Sequence, residues 1–423
     1  MKTRLAFVAL LFAVPILLGA AVFETTGKKA EWIPAGGPVD PPAVPDATEA
    51  NSVQGLTVHE WGTFTSVAGP DGTAVEWLPA GGPTDLPCFV KLGGAGPKGL
   101  PATEQGGRAN RTLVRMETPV LYFYSPRQET VDVKVSFPHG LITEWFPDAS
   151  FGANGWYNAF KAFPGGTSMI EWKDVKVMPL ATESYHFDEV QSHYYAARRT
   201  GAAPLQVGNE FEKFLFYRGI ASFQPPLSAK VLSDGSIELK NLGTEPLMRS
   251  VLFENRDGKI GYRLLKGLGA GYPIVQAPLT VLDQTVDALQ QNLEATLRAQ
   301  GMFPLEARAM VDTWRDSWFE QGTRIFYIVP KKTVDSILPL EMNPSPVQVA
   351  RAFVGRMELI TPATQKEVLR AAEMGDRKTL ETYGRFLEPI LHDFLKDYRA
   401  DGVMASIRAA YVNEVTACSK NRW

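Results

Sequence analysis

Several common signatures are absent from this sequence, and each absence narrows the reading. Among 423 residues there are two cysteines, Cys88 and Cys418, so at most one intramolecular disulfide can form. No glycine-rich phosphate loop, no Gly-x-Ser-x-Gly elbow and no helical zinc-protease motif occurs. Charge of one sign is not in excess: 43 Lys and Arg face 46 Asp and Glu, a net of −3 at pH 7. A nucleic-acid partner is therefore not expected, because such proteins carry a strongly basic face. Beyond the first residues no stretch is apolar enough to span a bilayer. With 45% hydrophobic and 21% charged residues, a disordered chain and a collagen-like fibre are also excluded.

The N-terminus reads as a targeting segment. Lys2 and Arg4 precede an uncharged run from Leu5 to Val22, and Gly19, Ala20 and Ala21 suit signal-peptidase cleavage after about Ala21. The expectation is an exported protein, periplasmic or secreted, with residues 1–23 as a signal peptide or an uncleaved anchor. No cysteine lies near the cleavage site, which closes the lipoprotein route. Residues 24–55 read as a linker with five prolines between Pro34 and Pro45. They contain half of a repeat: the twelve residues from Glu31 to Pro42 return from Glu76 to Pro87 with nine identities. A local duplication explains this, as does a tethered copy competing for the same groove.

From residue 56 the pattern turns to strands. Val131, Val133, Val135 and Phe137 alternate with polar residues, as on a half-buried strand, and pair plausibly with residues 120–124. Further strands are expected at 58–65, 141–146, 170–177 and 212–218, with hairpin turns at Asp234-Gly235 and Asp257-Gly258. The fold expected is α+β: an antiparallel β-sandwich-like domain over 56–265 and a mostly helical α+β domain over 266–423. In the second, 282–300 and 305–321 have helical spacing, 324–329 and 352–360 could pair as strands, and helices follow over 378–400 and 402–415. Thr364 with Glu367 has capping-box spacing.

The segment Val58-His-Glu-Trp-Gly-Thr-Phe-Thr65 resembles one found in uncharacterised exported bacterial proteins. Two later stretches share that resemblance, Glu212-Lys-Phe-Leu-Phe-Tyr-Arg-Gly219 and Val354-Gly-Arg-Met-Glu-Leu-Ile-Thr-Pro362. It extends over most of the mature chain and implies no activity and no catalytic residues. Separately, Pro119-Val-Leu-Tyr-Phe-Tyr124 with the strand after it resembles a β-module of bacterial surface proteins, which implies a sandwich in an extracytoplasmic setting.

Three constellations could carry chemistry. Five of the nine tryptophans follow a glutamate, at Trp32, Trp61, Trp77, Trp145 and Trp172. Either these are core indoles beside solvated carboxylates, or Trp61, Trp77 and Trp145, with His59, Trp156 and Tyr157, form stacking platforms for sugar rings. Glu60 shares a strand face with Val58 and Phe64, so it is either a lock bonded to an arginine or a general acid with raised pKa. Its second carboxylate would be Glu117 or Glu144. Finally, His186, Glu189 and His193 would share one face of a helix, a donor set that could hold a divalent metal; no other cofactor is expected. A surface polar cluster is the plainer reading, and the same holds for an ion pair of Arg198 or Arg199 with Glu210 or Glu212. These features point to an exported binding or structural protein recognising a glycan or an extracytoplasmic protein through Glu-Trp strand edges. The rival is a hydrolase of extracellular polymers, using the metal set or Glu60.

Overall fold

A computed structural model describes residues 53–78, 86–94, 111–152, 155–182, 185–186, 192–279 and 281–391. Strand β1 (Thr57–Val67) is buried at every position, because it lies in mid-sheet with a packed layer on each face. That explains why its sequence shows no apolar-polar alternation. The sheet has nine strands. On one side of β1 lie β17 (Gln348–Leu359), β15 (Gly322–Val329), β12 (Ser250–Arg256) and β13 (Lys259–Leu265). On the other side lie β3 (Val114–Tyr124), β9 (Leu215–Ala221), β5 (Gly140–Phe146) and the short β2 (Lys91–Leu92).

A second sheet of five strands covers one face. Its order is β16 (Leu340–Asn343), β4 (Glu129–Pro138), β6 (Thr167–Val177), β7 (Leu205–Val207) and β8 (Glu210–Glu212). Val131, Val133, Val135 and Phe137 of β4 and Ile170 and Trp172 of β6 interdigitate with Val58, Phe64, Leu121, Phe123, Phe353 and Met357 of the large sheet. This is the sandwich core, and each such side chain taken fully from water contributes about 1.5–3 kcal/mol. A three-stranded sheet of β10 (Leu227–Val231), β11 (Ile237–Asn241) and β14 (Ile274–Gln276) extends the same side.

Helices cover the opposite face. Helices α2 (Val286–Arg298) and α3 (Pro304–Trp318) lay Leu289, Leu293, Met310, Trp314 and Trp318 on Trp61, Tyr122, Phe326 and Val354. At one end a smaller cluster joins Val67 and Trp77 to Val368 of α5 (Pro362–Met374), Leu380 of α6 (Arg377–Thr382), and Phe386 and Ile390 beyond it. Helix α1 (Gly155–Ala162) lies over Leu141 and Ile220, while Val334 of α4 (Lys331–Ile337) joins the sandwich core. The fold is α+β, with large sheets first and helices toward the C-terminus.

Three expectations are corrected. The division at 265/266 is not a domain boundary: β15 and β17, from the expected helical domain, lie inside the large sheet between β12 and β1. Strong apolar strands at 324–329 and 352–360 foretold the pair, but no local pattern shows that a strand joins partners roughly 290 residues away. The sheet is not wholly antiparallel either, since β1 and β17 run parallel in register Thr57 to Gln348 through Val67 to Glu358. The single strand expected at 212–218 is two, with the chain passing from the smaller sheet to the larger between Glu212 and Leu215. Other details follow from capping. Thr361, rather than Thr364, caps α5 by accepting the amide of Thr364 at 3.1 Å. Cys88 is disulfide-bonded; Cys418, the first repeat copy, the leader and the helix expected at 402–415 lie outside the described residues.

Gly322 opens β15 at φ +123°, where an added Cβ would lie 2.3 Å from Oε1 of Glu358 and 2.7 Å from Nη2 of Arg324. Both the backbone conformation and the buried pair beside it require glycine. Gly322→Ala should therefore cost about 2–4 kcal/mol in denaturant unfolding. A change within about 0.5 kcal/mol would show that neither constraint is real.

Candidate functional site

Between the two apolar clusters on the helical face runs a belt of charged side chains. Side chains on β-strands alternate faces, and residues two apart share one. On β17, Ala352 and Val354 face the helices, and so do Arg356 and Glu358 beyond them. On β15, Phe326 is followed toward its start by Arg324, the register partner of Glu358. On β1, Trp61 is followed by Thr63 and Thr65, the second paired with Arg356 and Arg115. Strands β3, β9 and β5 add Arg115, Glu117, Arg218 and Glu144, with Arg218 opposite Glu144. The belt thus crosses six adjacent strands, and Glu320 and Arg385 close over it from the helical layer.

Contacts link its members from β15 to β3, and Arg218 with Glu144 forms a further pair beside them. Arg324 Nε donates to Glu358 Oε2 at 2.9 Å, and its other nitrogens donate to the carbonyls of Trp318 and Gln321. Arg356 Nη2 donates to Glu320 Oε1 at 2.5 Å, and Arg385 Nη2 reaches the same oxygen at 3.2 Å. Arg385 also pairs with Glu117, which accepts a hydrogen bond from Thr65 Oγ1 at 2.9 Å and lies 2.8 Å from Arg115 Nε. Arg218 stands 3.8 Å from Glu144 and donates to the hydroxyl of Tyr194 at 3.1 Å. Burial pushes the Glu117 carboxyl up, but Arg385, Arg115, Arg356 and Arg218 together outweigh it and hold it at about 2. Burial, and then the neighbouring Arg324, bring Arg356 down to about 10. Glu358 is moved the other way: burial raises it despite Arg324 and Arg356.

The sheet is distorted where the belt crosses it. The β1–β3 register shifts between Trp61 and Thr63, β3–β9 between Met116 and Val120, and β5–β9 between Ile142 and Glu144. Thr118, fully buried, adopts φ +45°, a conformation strongly disfavoured for a β-branched residue. Bulges of this kind re-aim side chains and cluster beside functional sites.

The expected site residues are distributed as follows. Trp61, Trp77 and Trp172 are fully buried and Trp145 is 8% exposed, so these indoles are core. Trp77 stacks on Phe386, and Trp145 packs edge-on against Phe151. They form no platform on the surface, and Trp32 lies outside the described residues. Trp156 is half-buried, donating to the Ile142 carbonyl at 2.6 Å, and Tyr157 is exposed beside Lys161. His59 is buried and bonds through Nδ1 to Glu306 Oε2 at 2.7 Å, tying β1 to the start of α3. Glu60 is a lock: Tyr217 donates its hydroxyl to one oxygen and Arg351 its Nε to the other at 2.6 Å. Glu117 and Glu144 belong to the belt. The three candidate carboxylates are therefore held by arginines and do not converge on a cleft.

Of the expected metal set, His186 lies outside any described helix and His193 opens a 3-10 helix (His193–Arg198) capped by the extended Ser192; Glu189, with the rest of 187–191, lies outside the described residues. Among the described residues no group of three or more His, Cys, Asp and Glu is arranged to hold a metal. Arg198 pairs bidentately with Glu212 at 2.9 and 2.6 Å.

Sequence reading missed a cavity of about 270 Å³ on the sandwich side near the ends of β12 and β15. Leu252, Glu254 and Arg256 of β12, Asp234 at the β10–β11 turn, Leu279 and Thr361 line it. Glu254 is 4% exposed and pairs with Arg256. Asp234 is held below its usual pKa by the amide and hydroxyl of Ser236. The Asp234-Gly235 turn was legible, but as a hairpin only. Nothing local announces that it closes over a strand end.

A folded-state pKa below the ordinary carboxyl value adds stability that is present at neutral pH and is lost as pH falls through about 4.5 toward 2. For Glu117 that loss amounts to about 3 kcal/mol. Glu320, also lowered, acts in the same sense, whereas the raised Glu358 and Glu212 act oppositely. The difference between wild type and Glu117→Gln in unfolding free energy should therefore be largest at neutral pH and shrink by pH 2.5. A difference independent of pH would contradict the charge assignment.

No family model matches the chain, and no curated protein matches it. Among solved structures, a yeast delta-COP-I mu-homology domain is similar over 72% of this chain and 96% of its own, at 9% identity and a TM-score of 0.27. The same domain complexed with a Dsl1 WxWxV peptide gives a TM-score of 0.26 at equal coverage and identity. Scores of this size do not establish a shared fold. Among the described residues no helix is long and apolar enough to cross a membrane.

Proposed function

We propose that the protein is an exported binding protein that holds one unit of a glycan in the cavity at Glu254. The observation that carries the reading is the lining of that cavity. Ser233, Asp234, Glu254, Arg256, Thr323 and Thr361 bring hydroxyl, carboxylate and guanidinium groups, while Leu252, Leu279 and Pro278 bring apolar walls. A sugar ring matches this mixture, since its hydroxyls both donate and accept and its C–H faces are apolar. The size suits one ring rather than an extended chain. This replaces the Glu-Trp edges, whose indoles are in the core, as the place of recognition. Export rests on Lys2, Arg4 and the apolar run that follows.

Two experiments test the reading. A glycan screen of the exported chain, reading both binding and release of reducing ends, should find a ligand that is bound and recovered intact. Glu254→Gln should weaken that binding about tenfold, the value of one lost charge-assisted hydrogen bond. Binding unaffected by that substitution in a folded protein would remove the cavity as the site. Cleavage lost with Glu254 would convert the reading to a hydrolase. Separately, the protein recovered outside the cytoplasm should begin near Val22, and retention in the cytoplasm would contradict export.

A further inference from the structure

Ten large apolar side chains stand well exposed among the described residues, and six of them fall between positions 242 and 281: Leu242, Met248, Leu264, Tyr272, Val275 and Val281. Single exposed apolar residues are ordinary on a protein surface, but such a concentration in so short a stretch is not. The topology brings its parts together. β13 is the outer strand of the large sheet, β14 is that of the three-stranded sheet, and residues 266–273 link these two edges. The loop between β11 and β12 lies beside that link. Leu247 and Leu268 exchange backbone hydrogen bonds at 3.0 and 2.8 Å, and Gly271 donates to the Asn241 carbonyl at 3.0 Å. Leu247 and Leu268 are turned into the core, so Met248 stands out from the loop pair at 64% exposure, and Tyr272 beside Gly271 is 79% exposed.

The same region is basic in a chain that is acidic overall. Residues 258–282 contain no Asp or Glu but include Lys259, Arg263 and Lys266, and Lys240 and Arg249 flank the neighbouring loop. The only carboxylate of residues 240–249, Glu245, is answered by Lys332 at 3.5 Å. Apolar side chains on loops beside lysine and arginine match the boundary of an anionic bilayer, which takes up the apolar groups and pairs its headgroups with the cations. Tyrosine suits that boundary, its ring in the apolar layer and its hydroxyl in water. A peptide added as a further strand fits less well, because the outer edge of β13 is already engaged. Gln284 donates its amide to the Ile260 carbonyl and accepts the amide of Tyr262 through its side chain.

We propose that the paired loops 242–249 and 266–273 dock the protein on a membrane surface rich in anionic lipid. Met248 and Tyr272 enter the headgroup layer, and Arg249 and Lys266 pair with lipid phosphates. The docking is peripheral and stands whether or not a glycan binds at Glu254.

The test is co-sedimentation of the exported chain with vesicles of phosphatidylcholine alone or mixed with phosphatidylglycerol. The mixed vesicles should bind about tenfold more tightly or better, and raised salt should remove the difference by screening the exposed charges. Met248→Asp combined with Tyr272→Asp should weaken binding about tenfold, and Lys266→Ala about fivefold. These side chains are exposed, so an unchanged Tm should accompany each loss. Every variant keeps the wild-type N-terminus, so binding through the leader cancels in the comparison. Equal binding to both kinds of vesicle would overturn the proposal, as would wild-type binding by the folded Met248→Asp/Tyr272→Asp protein. Binding to neither vesicle, with Tm raised by polyglutamate instead, would assign the surface to an acidic protein and equally overturn it.

Discussion

Burying guanidinium groups between two apolar clusters is the constraint around which this molecule is arranged. Removing a charge from water costs several kcal/mol, and only close, well-oriented partners offset it. Arg324, fully buried, therefore directs its nitrogens at Glu358 and at the carbonyls of Trp318 and Gln321. These contacts oblige the end of α3 and the turn after it to sit directly over β15 and β17. Arg385 does the same for the segment after α6, by pairing with Glu117 of β3 and with Glu320. His59 and Glu306 repeat the device at the start of α3. Both ends of α3 and the segment after α6 are thus positioned by an ionic or hydrogen-bonded tie to a particular strand, in addition to apolar packing. Apolar packing alone is non-directional and would leave that register less defined.

The segments 58–65, 212–219 and 354–362 have a common physical role. Strands β1, β9 and β17 carry them, and Glu60, Arg218, Arg356 and Glu358 within them are all buried in ion pairs. Glu60 with Arg351 serves the sandwich face as the belt serves the helical face. The bland reading of Glu60, a carboxylate locked by an arginine, is what the geometry contains, so its polarity within an apolar strand reflects structure rather than acid catalysis.

Elements with a strong local signature were legible from the sequence. The alternation at Val131–Phe137, the turn pairs Asp234-Gly235 and Asp257-Gly258, and the spacing of Met310, Trp314 and Trp318 each encode their own conformation. What was not legible depends on long-range placement. Ile325 and Phe353 read as strand residues, but their pairing into the centre of a sheet begun by β1 is decided by topology. The tryptophans were ambiguous for a related reason. A Glu-Trp pair on a strand has one side chain in and one out only where a face meets water, and Trp61 lies on a strand with no wet face. The cavity at Glu254 is assembled from a hairpin turn, two strand ends and a helix start, none of which carries a local mark of binding.

One measurement addresses the central claim, that the belt makes residues on both sides of position 265 a single unit. Equilibrium denaturant unfolding can be followed with one probe near Trp172, in the sandwich, and another near Trp314, in the helical layer. The account predicts coincident midpoints and one transition, because β15 and β17 cannot leave the sheet without exposing both cores. Two separated transitions, with the helical layer melting first and the sandwich persisting, would contradict it.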